Sequence, residues 1–378
     1  MGPRMQQLVF PKQSYLRLGE QPCSGSTLSN WFRVLMENHF HIDWQYLPKA
    51  IYVSAMIAAL TPFRWYEKSK LDDEVKQTAI IPPLFIIGHF RSGTTYLHYL
   101  LGQDPSMGYV STFETMTPGM IIANEQMFRD MVKNHLPEKR PMDDLEMHAN
   151  LPYEEEYAIA NLSPYSFYQG WYFPRQWKYY FDRYVLFKEM NGSMIEAWKN
   201  VYRYFLQKIS YKNKGKRILL KSPVNTARIR HLLELFPDAK FIHIYRDPYK
   251  VYMSTWKLYQ KILPLFSFQH ISSKDLDENI LYSYQETYRK FLEEKQLIPK
   301  KNLIEFSYED FISEPLSFLK KSYDQLNLEG FFDAEPLFNQ YILKHKDYKA
   351  SHYQISRDIK KKVSSKWAHM FEAYDYPM

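Results

Sequence analysis

The chain has 378 residues, of which 45% are hydrophobic, 24% charged and 17% aromatic. These fractions are typical of a globular protein with a large apolar core, and they exclude disordered, collagen-like and coiled-coil chains. The formal net charge of +7 favours an anionic ligand, because a positive field concentrates phosphates and sulfates near the surface. Nucleic acid is not the expected partner, since the basic residues are scattered and no helix-turn-helix, zinc-finger or RNA-recognition signature accompanies them.

Cysteine content and apolar runs limit where the protein is expected to work. Cys23 is the single cysteine, so neither an internal disulfide bond nor a cysteine-based zinc site is expected. The apolar stretch 50–63 has 14 residues, whereas a membrane-spanning helix needs about 20. The first residues lack the apolar run of a secretory signal, which predicts a cytoplasmic protein. Peripheral contact with a membrane through residues 46–63 is left open, and so is the oligomeric state.

In chain order, the first predicted elements are an irregular arm and a group of helices. Residues 1–26 carry few periodic apolar positions, whereas apolar residues recur at helical intervals from 28 to about 67. The first strand pattern covers 84–88, and a Ser/Gly/Thr turn and a helix pattern over 94–101 follow it. This order predicts a strand–loop–helix unit behind an N-terminal arm and helical preface, which is assigned to residues 1–78.

Later in the chain, continuously apolar strand patterns alternate with helical ones. Strands are predicted at 217–221, 240–246 and 302–307, and helices at 226–235 and 249–258. Such alternation indicates a buried parallel sheet with helical crossovers. The predicted fold class is therefore α/β, with a P-loop-like parallel sheet flanked by helices and with added N-terminal and mid-chain helices.

The segment from Gly88 to Thr95, GHFRSGTT, joins the first strand to its helix through a glycine-containing turn. Such a turn points backbone N–H groups at one position, and the helix N-terminus adds about half a positive charge there. Its two glycines are spaced as in the Walker A phosphate loop, but Thr94 replaces the lysine of that motif. The guanidinium of Arg91, inside the loop, can instead bind two anionic oxygens. The pattern favours a phosphate or sulfate cradle over a simple helix cap.

A second candidate anion site follows the strand predicted at 240–246. The strand ends on Arg246, Pro248 suits a helix start, and Ser254 lies eight residues beyond the arginine. Both side chains would then lie near the carboxyl ends of the strands, where open α/β sheets bind ligands. The alternative is a surface pair between Arg246 and Asp247 beside an exposed serine.

Together these segments resemble the sulfotransferases that use 3′-phosphoadenosine-5′-phosphosulfate (PAPS), over residues 84–328. The resemblance implies that the 5′-phosphosulfate is bound by Arg91, Ser92, Gly93, Thr94 and Thr95. It also implies that Arg246 and Ser254 bind the 3′-phosphate, and that Tyr308 in the segment FSYED lies near the adenine. The RSGTT form of the loop is similar to that of the bacterial and Golgi-type branches, which include the tyrosylprotein sulfotransferases.

The same resemblance implies roles in sulfuryl transfer. Lys221 matches the family's strand-end lysine, which implies contact with the bridging oxygen and the leaving phosphate. Pro223 stands where the cytosolic phenol and steroid enzymes carry their histidine base. Glu114 matches the glutamate that follows the phosphosulfate-loop helix in tyrosylprotein and many bacterial enzymes, so it is the predicted base. Arg91 is also placed in the catalytic set, because its charge offsets that of the departing nucleotide.

His148 is the runner-up for the base, since histidine titrates near neutral pH. Both candidates also have a plainer interpretation. A glutamate at the start of a helix is commonly a solvated first-turn carboxylate, which is the alternative for Glu114. A hydrogen-bonded loop histidine is the alternative for His148. The acidic run 154–156 is expected to form the polar side of a helix.

The predicted function is transfer of a sulfuryl group from PAPS to a hydroxyl of a small hydrophobic alcohol, a sterol or a lipid. Aromatic residues at 163–177 are the clue to this acceptor, since flat or apolar molecules fit an aromatic-lined site. No metal is expected, because the cations supply the charge that Mg²⁺ gives a kinase. Two alternatives stay open: a P-loop-type phosphotransferase or nucleotide hydrolase, and a non-enzymatic nucleotide-binding protein that associates with a membrane.

The chain is expected to form one catalytic unit with additions at both ends. Residues 79–330 are assigned to the α/β sulfotransferase domain, which contains a helical acceptor-site insertion at about 104–210. Residues 331–378 are assigned to a basic helical segment that closes over the nucleotide. The basic character of this segment lies mainly in residues 341–366.

Overall fold

A computed structural model of the protein describes residues 8–140, 145–346 and 353–378, in which helices surround a five-stranded sheet. The strands are β1 (Leu84–Ile87), β2 (Met107–Tyr109), β3 (Arg217–Lys221), β4 (Lys240–Tyr245) and β5 (Leu303–Ser307). The helices of the first part are α1 (Leu28–Glu37), α2 (Leu47–Gln77) and α3 (Thr94–Leu101). The mid-chain helices are α4 (Thr112–Met116), α5 (Glu125–His135), α6 (Glu156–Leu162), α7 (Gln169–Tyr172), α8 (Trp177–Tyr184) and α9 (Gly192–Lys212).

The C-terminal half contributes seven further helices within the described residues. They are α10 (Ile229–Leu235), α11 (Pro248–Phe266), α12 (Ser273–Glu294), α13 (Tyr308–Ser313), α14 (Pro315–Leu326), α15 (Phe331–Lys344) and α16 (Arg357–Ala373). Short 3₁₀ turns occur at Lys12–Leu16, Leu18–Glu20, Pro22–Gly25, Trp44–Tyr46, Pro174–Gln176, Pro223–Ala227, Lys295–Leu297 and Lys300–Asn302.

The strands are all parallel and lie in the order β2–β3–β1–β4–β5. β1 is central, and its Ile86 lies opposite Lys221 of β3 and Ile242 of β4. The predicted α/β class with a parallel sheet flanked by helices is therefore confirmed. β2 is absent from the sequence-based prediction, because its three residues are too few to form an apolar pattern.

Side chains of the sheet alternate between two apolar cores, one on each face. Phe85 stacks on Phe241 in one core, with 5.3 Å between ring centroids. Ile86 and Ile242 belong to the other core. Because both faces are covered, every residue of β1 is buried, which explains its unbroken apolar sequence. The sheet is thus a firm support for the loops that leave its carboxyl edge.

Several predicted boundaries differ from the observed ones. The strands predicted at 84–88 and 240–246 each end one residue earlier. The helix predicted at 226–235 begins at Ile229, after a 3₁₀ turn. The helix predicted at 249–258 continues to Phe266, and Asp247 caps its start by accepting from the backbone N–H of Tyr249 at 2.8 Å.

The helical preface consists of α1 and α2, which pack on each other. The Trp31 indole of α1 donates to Ser54 Oγ of α2 at 2.9 Å. Thr27 caps α1, and α2 runs ten residues beyond the predicted end at 67, so the preface is longer than its apolar pattern indicates. Within the described ranges, no helix combines the length and apolar character needed to cross a bilayer.

The C-terminal helices pack beside the sheet. α15 contacts α3 and α14, and α16 contacts α11 and α12. Lys362 of α16 pairs with Asp277 of α12 at 2.8 Å. Beyond α16, the Tyr374 ring stacks on Tyr245 at the end of β4, with 3.9 Å between centroids. Closure of this segment over a nucleotide stays a prediction, and residues 347–352 of its basic stretch lie outside the described residues.

Candidate active site

The loop between β1 and α3 contains two glycines in conformations that other residues rarely adopt. Gly88 has a φ of 142° and Gly93 a φ of 98°. A Cβ atom at Gly88 would lie 2.2 Å from the carbonyl oxygen of Ile244, so β4 passes too close for a side chain. The Gly88 N–H donates to Thr226 Oγ1 at 2.8 Å, which fixes the start of the loop. The loop then delivers the chain to the N-terminus of α3, where anions are favoured.

Arg91 lies inside this loop with a φ of 71°, in the left-handed region that non-glycine residues seldom occupy. Its Nε donates to Ser254 Oγ of α11 at 2.8 Å. Its carbonyl oxygen accepts from Arg246 Nη1 at 3.1 Å. The structure thus brings the two predicted anion sites together as one cluster of Arg91, Arg246 and Ser254. A strained backbone is typical of such binding loops.

Tyr308, the first residue of α13, packs against this cluster. The Arg246 guanidinium carbon lies 4.2 Å from the centroid of the Tyr308 ring. A Cβ atom at Gly93 would lie 2.3 Å from Cδ2 of the same ring, so only glycine fits beneath it. Arg246 Nε is buried and has no hydrogen-bond partner among the described residues. A buried guanidinium N–H in this position fits an anionic oxygen.

The remaining loop residues connect this cluster to β3. Ser92 Oγ donates to the His89 carbonyl oxygen at 2.7 Å, which closes the turn. Thr94 is the buried first residue of α3. Thr95 Oγ1 lies 3.4 Å from Lys221 Nζ, so the end of the loop meets the lysine at the end of β3. The predicted loop residues and Lys221 therefore share one site.

Lys221 is buried and forms an ion pair with Glu154. Burial lowers the pKa of the Lys221 ammonium, and the nearby carboxylate of Glu154 opposes that shift. The other oxygen of Glu154 accepts from the Tyr168 hydroxyl. A buried pair of this kind is stable only while both partners are present, because either charge alone would be costly to bury.

The expectation that residues 154–156 form the polar side of a helix is wrong. All three carboxylates are buried, and each has a partner on another part of the chain. The partners of Glu154, Glu155 and Glu156 are, in that order, Lys221, Tyr202 and Arg228. A run of acids has no apolar periodicity of its own, so only the tertiary partners decide that it is internal.

Glu155 is the unusual member of this run. Its Oε1 accepts from the Tyr202 hydroxyl at 2.8 Å and from Asn225 Nδ2 at 2.5 Å. Its Oε2 is buried and has no partner among the described residues. Burial raises the pKa of Glu155 to about 7, although the hydrogen bonds favour the charged form.

Glu114, the predicted base, lies at the start of α4. Its Oε2 accepts from the Ser111 N–H at 2.7 Å, and Ser111 Oγ accepts from the Glu114 N–H, which makes a capping box. Its Oε1 pairs with Lys212 of α9 at 2.6 Å. These contacts belong to α4 and α9, whereas Lys221 is paired with Glu154. The catalytic role of Glu114 stays a prediction.

His148, the runner-up, is exposed on the loop that precedes the acidic run. Its Nδ1 accepts from the backbone N–H of Asn150 at 3.2 Å, which is the contact of a loop histidine. Residues 141–144, just before this loop, lie outside the described residues. Its role as a base also stays a prediction.

An apolar cavity of about 120 Å³ lies on the inner side of α2. Tyr52, Met56 and Leu60 of α2 line it. Tyr153 lines another side, and the next residue along the chain is Glu154, the partner of Lys221. The cavity is thus a candidate site for an apolar molecule.

The aromatic segment 163–177, predicted as the clue to the acceptor, packs mainly in the core. The rings of Tyr168 and Trp171 stack with 3.9 Å between centroids, and both are buried. None of the described residues of this segment lines the cavity of α2. Tyr168 nevertheless reaches the site through its hydrogen bond to Glu154. The aromatic rings of segment 163–177 therefore pack in the core, and the segment contacts the site only through the Tyr168 hydroxyl among its described residues.

A family model described as the sulfotransferase family matches residues 82–333. The chain is also 31% identical over 356 residues to omega-hydroxy-beta-dihydromenaquinone-9 sulfotransferase Stf3 of Mycobacterium bovis, and to the same degree to Stf3 of Mycobacterium tuberculosis. Each alignment covers 93% of this chain and 90% of the relative. The chain therefore belongs to the sulfotransferase family and is a sulfotransferase enzyme, which sets aside the phosphotransferase and non-enzymatic alternatives.

Two solved structures share the fold. Sulfotransferase STF9 of Mycobacterium avium has a TM-score of 0.65 at 16% identity, with 93% of this chain and 98% of that chain covered. Sulfotransferase STF1 of Mycobacterium tuberculosis has a TM-score of 0.65 at 18% identity, with 90% and 91% covered. At these identities the likeness concerns the fold.

Sequence reasoning missed Glu154 and the cavity beside it. Glu154 lies 67 residues before Lys221, and nothing in the spacing of the two residues indicates that they meet. The available signal is the position of the three acids directly before a run of apolar and aromatic residues, 157–173. Acids attached to so apolar a segment are candidates for buried, paired carboxylates.

Proposed function

We propose that this sulfotransferase uses PAPS as its donor and transfers the sulfuryl group to a hydroxyl of a lipid or another hydrophobic alcohol. The observation that carries the proposal is the cluster of Arg91, Arg246 and Ser254, in a loop whose end meets Lys221. An apolar cavity lined in part by Tyr153, the residue before the partner of Lys221, supports the acceptor class. The cluster would bind the anionic donor, and the cavity would bind an apolar acceptor.

The donor-binding residues fit PAPS by their chemistry. The loop residues Arg91 to Thr95 supply backbone N–H groups, hydroxyls and one guanidinium for the phosphosulfate. Arg246 and Ser254 supply a cation and a hydroxyl for the 3′-phosphate, and the buried Nε of Arg246 is suited to that oxygen. The Tyr308 ring, stacked on Arg246, is available to the adenine.

In the transfer step the bond between sulfur and the bridging oxygen breaks, and a bond between sulfur and the acceptor oxygen forms. Lys221 offsets the negative charge that develops on the bridging oxygen, and Arg91 offsets charge on the phosphosulfate. The hydroxyl proton of the acceptor passes to a carboxylate. The loop and the end of β3 hold these groups in place, which lowers the entropic part of the barrier.

Two carboxylates compete for the role of proton acceptor. Glu114 has the family position, but both of its oxygens are engaged at the start of α4. Glu154 contacts Lys221 directly and follows Tyr153, which lines the cavity. We favour Glu154, because a donor oxygen that pairs with Lys221 would release the Glu154 oxygen that now contacts the lysine, while the other oxygen keeps its hydrogen bond from Tyr168.

The acceptor class is supported by the cavity and by the relatives. The M. bovis and M. tuberculosis relatives are named for sulfation of a hydroxylated dihydromenaquinone, which is an apolar molecule with a hydroxyl. The cavity lining is largely apolar, which suits a hydrocarbon chain better than a sugar. A cytoplasmic location with peripheral membrane contact is part of the same proposal.

Labelled PAPS tests the proposal directly. The purified chain is incubated with donor and with hydroxylated isoprenoids, sterols, phenols and sugars in detergent micelles, and labelled products are separated. We expect product from the hydrophobic alcohols and none from a Lys221→Ala variant. Turnover of sugars alone would contradict the acceptor class, and failure to bind 3′-phosphoadenosine 5′-phosphate would contradict the donor.

A further inference from the structure

The outer side of α2 carries no exposed charge over most of its length. Between Trp44 and Tyr66 the chain has two charged residues, Lys49 and Arg64, and both are buried. Lys49 Nζ donates to the Leu265 carbonyl oxygen at 2.7 Å, and Arg64 Nη1 donates to that of Ile57 at 2.8 Å. The two cations therefore point into the protein and leave apolar side chains outside.

These side chains form a continuous row, which we call the outer stripe. It consists of Leu47, Ile51, Ala55, Ala58, Pro62 and Trp65, which are all exposed. Their spacing of three or four residues places them on one face of the helix, over roughly 27 Å. Ile51 is 69% exposed and Trp65 is 73% exposed, and Trp44, just before α2, is 75% exposed. So long an apolar row is unusual on a surface that faces only water.

The inner side of the same helix is apolar as well, because Tyr52, Met56 and Leu60 line the cavity. A helix that is apolar on both sides is normally covered on both sides. In the described residues the inner side is covered and the outer stripe is not. One helix diameter, about 10 Å, therefore separates the cavity from an uncovered apolar surface.

The ends of the outer stripe indicate what covers it. Trp44 lies at one end, and Trp65 and Tyr66 lie at the other, and these residue types prefer the boundary between hydrocarbon and water. The exposed Lys68 and Lys70 follow directly, where they would meet anionic headgroups. An uncharged stripe with aromatic ends and adjacent lysines matches a helix that lies flat in a bilayer surface.

We propose that the outer stripe of α2 docks on the surface of a bilayer that contains anionic phospholipid, so that an acceptor passes from the bilayer into the cavity beneath α2. The outer stripe specifies the surface for the peripheral membrane contact proposed above, and the passage of the acceptor rests on the proposed function. Because the cavity lies behind the docked helix, the apolar part of an acceptor would have only a short path through water.

Vesicle binding tests the docking by itself. The full chain is sedimented with vesicles of phosphatidylcholine and phosphatidylglycerol, alongside Ile51→Glu and a control, Leu343→Glu. Leu343 is also an exposed aliphatic residue in a helix, at 66%, but on α15. We expect Ile51→Glu to bind about tenfold more weakly, since an ionised carboxylate opposes insertion, and the control to bind like the parent. Equal binding of all three, or no binding of the parent, would overturn the proposal.

Two further measurements separate the remaining outcomes. Size-exclusion chromatography shows whether the outer stripe joins two copies of the chain, and a dimer that Ile51→Glu converts to a monomer would overturn docking on lipid.

Turnover is then compared for one acceptor in vesicles and in detergent micelles. We expect Ile51→Glu to lose activity in vesicles and keep it in micelles. Absence of turnover by the parent in micelles would contradict the proposed function. Absence of parent binding to vesicles would contradict the docking.

Discussion

Arg91 and Ser254 are 163 residues apart in the sequence, yet Nε of the arginine donates to the serine hydroxyl at 2.8 Å. This hydrogen bond ties the loop after β1 to α11, the helix that follows β4. The residues implied in binding the two ends of the donor are therefore held at a fixed separation.

Arg246→Ala is expected to weaken binding of 3′-phosphoadenosine 5′-phosphate. The variant loses a charge-assisted contact of about 1.5–3 kcal/mol, which corresponds to an affinity roughly 10- to 150-fold lower. Isothermal titration calorimetry measures the change. Arg289→Ala is the control, because Arg289 is exposed and pairs with Glu286 and Glu293 on α12. Equal affinity of Arg246→Ala and the parent would remove the assigned 3′-phosphate site.

Glu154→Gln is expected to lower turnover by a factor on the order of 10² to 10⁴, because glutamine keeps the shape of the side chain but accepts no proton. Nucleotide affinity should not fall, because the anionic donor no longer competes with a carboxylate for Lys221. Glu114→Gln should keep most of its activity and lose about 1.5–3 kcal/mol of stability, since glutamine retains the capping box but loses the charge-assisted contact with Lys212. Steady-state kinetics with labelled donor decides between them. A slow Glu114→Gln with a fast Glu154→Gln would restore the assignment based on the family position.

His148→Ala serves as the third member of that series. Its side chain is exposed and has a local hydrogen bond to Asn150, so turnover should remain within about threefold of the parent. The pH dependence of kcat/KM gives an independent reading, because a histidine base would contribute an ionisation that His148→Ala removes. An inactive His148→Ala would make His148 the base.

Glu155 is expected to make the folded state less stable as the pH rises. Its pKa is about 7 in the folded chain and near 4.5 when exposed, so the folded state holds a proton that the unfolded state has lost. Stability from this group is thus fully present below pH 4.5 and lost as the pH approaches 7, by up to about 3 kcal/mol. Denaturant unfolding at pH 5 and pH 8 should show this decline in the parent and a smaller one in Glu155→Gln. Glu293→Gln, at an exposed position, should behave like the parent.

Gly93→Ala is expected to abolish nucleotide binding and to destabilise the fold by more than about 1 kcal/mol. The added Cβ would lie 2.3 Å from the Tyr308 ring, and the φ of 98° is unfavourable for alanine. Gly192→Ala is the matched control, because no atom lies within 4 Å of the Cβ position there. Thermal unfolding and calorimetric titration measure both effects, and an unimpaired Gly93→Ala would show that the contact with Tyr308 is not required.

Turnover is expected to be insensitive to EDTA. The cations of Arg91, Lys221 and Arg246 supply the positive charge that a divalent metal supplies in phosphoryl transfer. The assay compares initial rates with labelled donor before and after chelation, followed by readdition of Mg²⁺. Full loss of activity that Mg²⁺ restores would contradict the predicted chemistry.

The sequence predicted those parts of the site that depend on local pattern. The strand before Gly88, the helix from Thr94 and the arginine after β4 follow from apolar runs and turn residues, and the structure places them as predicted. Local pattern could not predict the role of Glu154, because its burial depends on Lys221, Tyr168 and the packing of distant segments. The cavity was equally hidden, since α2 and the region around Tyr153 meet only in the folded chain.

The ion pair between Lys221 and Glu154 imposes an order of events on the proposed reaction. While the two side chains are paired, the lysine does not contact a leaving group and the carboxylate oxygen that faces it does not contact an acceptor. In the proposed reaction, a donor oxygen beside the lysine would release the carboxylate. The alcohol is therefore activated after the sulfuryl group has arrived and not before. An acceptor that binds before the donor would therefore not be deprotonated, because Glu154 would still be paired with Lys221.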